Sequence, residues 1–131
     1  MAYLTKSYKI VSADATTGAQ TGKIMYVGQA RRIGVLVRRT NHSSGNTVFS
    51  FKAGYENLDE SPTMSTFNMM IDNVTNTNAQ TQTRIASKTL SSNTDAVMWV
   101  DPSIKINLLE VDYNTTTDGA ATVFILIEEE T

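Results

Sequence analysis

Two alternating, β-branched segments close the chain, Ile104–Tyr113 and Ala121–Glu128, with Thr115-Thr116-Thr117-Asp118-Gly119 between them. Side chains of this kind suit a pleated strand, and the Asp-Gly pair supplies a turn. The spacing predicts an antiparallel hairpin. Both segments are apolar on both faces. Ile104, Ile106 and Leu108 share one face of the first, with Leu109, Val111 and Tyr113 on the other; Val123 and Ile127 oppose Phe124 and Leu126 in the second. A strand apolar on both faces needs cover on both, and a two-layer sandwich covers only one. Leu109, Val111, Tyr113, Phe124 and Leu126 are therefore the expected contacts in an interface between copies of the chain.

The rest of the chain repeats the strand pattern. Lys6–Val11 and Lys23–Val27 read as strands around a Ser12–Thr21 loop. Arg31–Arg39 alternates cleanly, with Ile33, Val35 and Val37 on one face and Arg32, Gly34, Leu36 and Arg38 on the other. The polar turn Asn41-His42-Ser43-Ser44-Gly45-Asn46 leads into Thr47–Ala53, so these two segments are expected as a second hairpin. A loop at Gly54–Pro62, an imperfectly alternating strand at Thr63–Asp72 and a polar loop or exposed edge at Asn73–Thr83 follow. Thr83–Thr89 and Ala96–Val100 are further strands, the latter ended by Asp101-Pro102-Ser103, because proline lacks the donor that a central ladder uses. The expected fold is all-β: an antiparallel β-sandwich, jelly-roll-like, of about eight to nine strands, in a single domain over residues 1–131. At this length hydrophobic burial carries a fold without metals or staples.

Composition narrows the function classes. The chain has no cysteine, which excludes disulfides and thiolate-zinc sites. A net charge of −2 gives no electrostatic reason to expect nucleic acid or a membrane surface as partner. No signal-peptide-like run opens the sequence, and no stretch approaches the roughly 18 apolar residues of a spanning helix. Ser, Thr and Asn make up roughly a third of the residues and charged side chains only 18%. That balance favours an exposed β surface that hydrogen-bonds rather than one that is strongly charged.

No constellation for covalent chemistry stands out, so no catalytic residue, metal ligand or cofactor is expected. His42, the one histidine, sits in a Ser/Asn/Gly turn. The carboxylates fall mostly in turns or at outward strand positions, where they cap and solvate. Asp101, Asp112 and Asp118 have oxygens to offer calcium but lack the spacing of a calcium loop. Arg31-Arg32 and Arg38-Arg39 bracket a strand and are expected to solvate it or to form ion pairs between subunits. Trp99, between Met98 and Val100, is expected in a core or an interface. Glu128-Glu129-Glu130 reads as a solvated end that discourages edge pairing.

The run Asp101–Val111, the segment Thr115–Ile125, and Val48–Glu56 followed by a proline-containing loop resemble small β-sandwich virion proteins of tailed bacteriophages. These are capsid decoration (cement) proteins and related head or tail accessory proteins. The resemblance implies a non-enzymatic structural subunit, made in the host cytoplasm and placed on the capsid surface of the virion. It implies a homo-oligomer, most often a trimer, and the major capsid protein as partner, with no nucleic acid and no membrane. The alternative is a ligand-binding β-sandwich, a carbohydrate- or receptor-binding module such as a tail fibre carries.

Overall fold

A computed structural model describes residues 3–56, 60–74 and 80–130. Among them the chain forms twelve strands and no helix: β1 (Tyr3–Asp14), β2 (Gly18–Gln20), β3 (Met25–Tyr26), β4 (Arg32–Thr40), β5 (Thr47–Gly54), β6 (Met64–Thr66), β7 (Met69–Val74), β8 (Gln80–Ile85), β9 (Ser87–Leu90), β10 (Thr94–Trp99), β11 (Leu108–Thr115) and β12 (Ala120–Glu130). One sheet runs β1-β12-β4-β10-β7-β8; the other runs β2-β11-β5-β6, with β3 also on β11 and β9 also on β5. Every ladder is antiparallel.

The pairing has the logic of a folded ribbon. The two ends of the chain pair first, β1 with β12; inside them come β2 and β3 with β11, then β4 with β10, then β5 with β9. Two further ladders, β12 with β4 and β11 with β5, stitch the wound ribbon into two sheets. This is a jelly roll, with the β7–β8 hairpin added at one sheet edge.

That winding corrects both expected hairpins. β4 and β5 lie in different sheets, and so do β11 and β12. Their turns are arches across the sandwich. Residues 116–119 reach roughly 13 Å when extended, enough to cross the ~10 Å between packed sheets. Only the tightest two-residue turns force strands to be neighbours. The two arches lie side by side: the Thr116 amide donates to Asn46 O at 2.8 Å, and the Asn46 amide to Thr116 Oγ1 at 3.0 Å. Thr117 and Gly119 adopt positive φ (69° and 118°) to make the crossing.

Other boundaries shift for related reasons. Thr63–Asp72 breaks at Phe67–Asn68 into β6 and β7, which belong to opposite sheets; this is the source of its imperfect alternation. Thr83–Thr89 likewise divides into the end of β8 and β9. The expected loop at Asn73–Thr83 contains the β7–β8 ladder, while its residues 75–79 lie outside the described residues, as do 57–59 of the Gly54–Pro62 loop. Strand β11 begins only at Leu108. The glutamate run is also corrected: Glu128 belongs to β12, a strand with β1 on one side and β4 on the other, so it guards no edge.

The core lies between the sheets. Ile33, Val35 and Val37 of β4, with Val123, Ile125 and Ile127 of β12, face Phe49, Phe51, Leu109, Val111 and Tyr113 of the second sheet. Leu109 and Val111 are fully buried and Tyr113 is 7% exposed. This corrects their assignment as contacts between copies. Their face of β11 is the one the sandwich itself covers.

Candidate interaction face

Parity along β4 and β12 leaves a second set of side chains outside. Arg32, Gly34, Leu36 and Arg38 sit opposite Glu128, Leu126, Phe124 and Thr122 in register. β10 extends the rows: Asp95 stands beside Arg38, Val97 beside Leu36, Trp99 beside Gly34. On the far side of β12, Lys9 stands beside Phe124 and Ser7 beside Leu126; beyond β10, Met70 stands beside Trp99. The outer face of this sheet thus carries Leu36, Phe124, Leu126, Val97, Trp99 and Met70 together. None of the six is buried, and Val97 is 38% exposed.

Cations cover the aromatic rings of this face. The Arg32 guanidinium lies 4.4 Å from the Trp99 ring centre, and Lys9 and Arg38 each lie 5.5 Å from that of Phe124. Such contacts contribute about 0.5–1 kcal/mol at exposed sites. Gly34 makes room for the indole, since a Cβ there would stand 2.7 Å from Trp99 Cε3. Ion pairs close both ends. At one end Arg38 grips Asp95 with two bonds of 2.8 and 3.1 Å; at the other, Arg31 pairs with Glu128, which also lies 3.8 Å from Arg32. Of the residues expected at an interface, the fold brings Phe124, Leu126, Arg31, Arg32 and Arg38 to this one face.

Arg39 does not belong to it. Pointing inward like Ile33, Val35 and Val37, it is fully buried at the end of the sandwich. Its Nη1 donates to Gly45 O (2.8 Å) and Leu90 O (3.0 Å), and its Nη2 to Ser44 O (2.9 Å) and Asp118 O (2.7 Å). The Asp118 carboxylate accepts from the amides of Ser43 and Ser44, and from the Ser43 hydroxyl. These bonds hold its pKa down at about 2. Arg39 and Asp118 together pin both arches.

The other chemistry-bearing groups are dispersed. The amide and ring Nδ1 of His42 both meet Asn93 Oδ1, at 3.0 and 2.7 Å, while the neighbouring Ser43 hydroxyl turns to Asp118. Asp101 is held at about 2 by the Ser103 amide, Arg84 and the Ser103 hydroxyl. Asp112 faces Lys52 at 3.0 Å and the Gly22 amide at 2.9 Å. The three aspartates considered for calcium therefore sit in three separate networks. No group of three or more His, Asp or Glu among the described residues is placed to hold a metal ion.

One buried acid was not anticipated. Glu110 is 5% exposed on the outer side of β11. Burial, then a hydrogen bond to Asp112 and the repulsion of its charge, push it up to about 7 against the pull of Lys52. Burial opposes ionisation of Asp112 too, but bonds from Glu110, Gly22 and Lys52 outweigh it and hold Asp112 below its ordinary value. A glutamate inside the apolar run Leu108–Val111 was the available signal.

No family model matches the chain, and no curated protein matches it. Among solved structures it is similar to the SPBc2 prophage-derived protein YomS, with a TM-score of 0.63 and 15% identity over 98% of this chain and 96% of that one. That likeness shows a shared fold over the whole length. Weaker likenesses are to infectious bursal disease virus, Gx strain (TM-score 0.49, 10% identity, 97% of this chain and 32% of that one), and to a chain from Bacillus endospore appendages, described as disulfide-linked pili (0.45, 10%, 96% and 85%).

Proposed function

We propose that the chain is a non-enzymatic structural protein of a phage virion, a decoration subunit that attaches to the outer capsid surface and stabilises it. The observation that carries this reading is the outer face of the β1-β12-β4-β10-β7 sheet, where six apolar side chains stand together between cations and ion pairs. Contiguous apolar surface rimmed by polar groups marks a protein–protein contact. The fold shared along its full length with a prophage-derived protein supports a phage origin. Adhesion on a repeating lattice gains from multivalency, since each added contact acts at high effective concentration.

The test is to band particles produced by the encoding genome on a density gradient and count the chain by quantitative mass spectrometry. Copies in fixed ratio to the major capsid protein, released by mild denaturant with loss of capsid stability, are expected. A chain confined to the soluble fraction overturns the reading. A second reading, a carbohydrate- or receptor-binding module, draws on Tyr55. This residue is 63% exposed beside a cleft of about 240 Å³ that Thr63, Ser65, Thr66, Phe67 and Ile104 also line. Its phenol donates to Lys105 O at 2.7 Å. Saturable glycan binding abolished by Tyr55→Ala, with no particle association, is the result that favours it.

A further inference from the structure

The outer face of the β1-β12-β4-β10 sheet matches itself. β4 carries the cation Arg32 and the apolar Leu36; β12 carries, at the same levels, the anion Glu128 and the apolar Phe124. We propose that the occupant of this face is a second copy of the chain, docked sheet on sheet about a two-fold axis that runs along the strands between β4 and β12. That operation lays β4 of one copy over β12 of the other. Arg32 then meets the other copy's Glu128 twice and Leu36 meets Phe124 twice, while on the flanks Val97 falls on Lys9 and Trp99 on Ser7. An axis running across the strands instead sets Arg38 over Arg32, and like charges oppose it.

The geometry tolerates the twist of real sheets. Packed sheets cross at about 30°. With the crossing centred level with Gly34, residues 32 and 36 lie about 7 Å away and are displaced by roughly 3–4 Å, within reach of arginine and glutamate side chains. Size decides how firmly the pair holds. The axis superposes four strands, β1, β12, β4 and β10; at ~4.8 Å each, with some seven residues at ~3.4 Å, they give a footprint of roughly 450 Å² per copy. About 900 Å² in total falls in the range of weak, transient contacts. The dimer is therefore reversible with concentration, and Arg32, Arg38 and Lys9 are free to lie over the rings in the single chain.

This inference rests on the reading of the same face as adhesive; it assigns the face to a second copy, which leaves the capsid to be met by the rest of the dimer's surface. It also departs from the trimer that the family resemblance implies, because a three-fold contact joins two different patches whereas a two-fold contact joins one patch to itself. The experiment is sedimentation equilibrium from about 1 µM to 1 mM. The wild-type mass is expected to rise from 14.4 kDa towards twice that value. Phe124→Ser is expected to hold the mass at one chain with an unchanged circular dichroism spectrum. Arg32→Glu alone and Glu128→Arg alone each set like charges against each other, and each is expected to stay at one chain. An equimolar mixture of those two variants restores both pairs, and the doubled mass returns. A wild-type chain that stays single at 1 mM, one that forms threes, or a mixture that fails to associate overturns the proposal. None of these results touches particle association, which is measured on particles and stands or falls separately.

Discussion

Replacing Arg39 by methionine removes the one cation that the sandwich encloses among the described residues. The guanidinium donates to four carbonyl oxygens, those of Ser44 and Gly45 in one arch, Asp118 in the other and Leu90 at the end of β9. A buried acceptor left without a partner costs about 1–3 kcal/mol. The bond to Leu90 O is buried, whereas the other three are partly buried, so those oxygens recover water in part. Removal of a desolvated charge, with an unpartnered Nε, offsets part of the loss. The balance is a destabilisation of about 3 kcal/mol, measured as the change in urea midpoint multiplied by the slope. For a domain of this length that lowers the melting temperature by roughly 10–15 °C. Arg39→Lys keeps the charge but not the planar fork, and about half the loss is expected. Arg38→Met is the control: its partner Asp95 is exposed, and such a pair is worth at most about 1 kcal/mol. If Arg39→Met falls no further than Arg38→Met, the claim that Arg39 pins the arches is wrong.

Three further outcomes follow from the same geometry. Gly34→Ala drives a methyl against the indole of Trp99, so emission from the only tryptophan is expected to shift to the red while the backbone circular dichroism stays unchanged. Tyr113→Phe removes the phenol that donates to the Asp14 carboxylate and is expected to cost about 1 kcal/mol in urea unfolding, with faster amide exchange at the end of β1. Glu110 keeps its proton in the folded state up to about pH 7 and loses it near its ordinary 4.5 when unfolded. Its contribution is therefore complete below about pH 4.5 and is lost as pH rises towards 7. The Glu110→Gln variant is expected to lack that decline between about pH 4.5 and 7. Asp101 and Asp118 act in the opposite sense, each held at about 2, so their stabilisation is lost as pH falls from about 4 towards 2.

Period-two patterning exposed the strands because side-chain parity is a local property. Ile33, Val35 and Val37 against Arg32, Leu36 and Arg38 could be separated before any fold was known, and the structure keeps that separation. What parity cannot say is which strand lies alongside. The arches at 41–46 and 116–119 have the same turn chemistry a hairpin uses; their crossing is settled by contacts from elsewhere, the Arg39 guanidinium and the Asn46–Thr116 bonds. Short strands blur for a second reason. β2 falls within the expected Ser12–Thr21 loop, and β6 and β9 merge with their neighbours, because three or four residues are too few for a period to register; β3 lies within the expected strand Lys23–Val27.

The same limit explains the mixed fate of the outward set. On β12 the two faces were correctly opposed, and Phe124 and Leu126 do face out. On β11 the expected opposition does not hold: Ile104 and Ile106 precede the strand, Ile106 joins the same core as Leu109, Val111 and Tyr113, and it is this second set that faces inward. The decisive mark was Glu110: with Asp112 it shares the face opposite to Leu109 and Val111, and two carboxylates one step apart on a strand face identify the side away from a packed core. β12 offers a parallel mark in Glu128, whose parity is that of Phe124 and Leu126. Charge therefore orients a strand that hydrophobicity leaves ambiguous. By that criterion the outer face of β12 is not leftover core but a surface whose apolar residues stand among Arg32, Arg38 and Glu128, and a surface of that composition has to be wetted or shared.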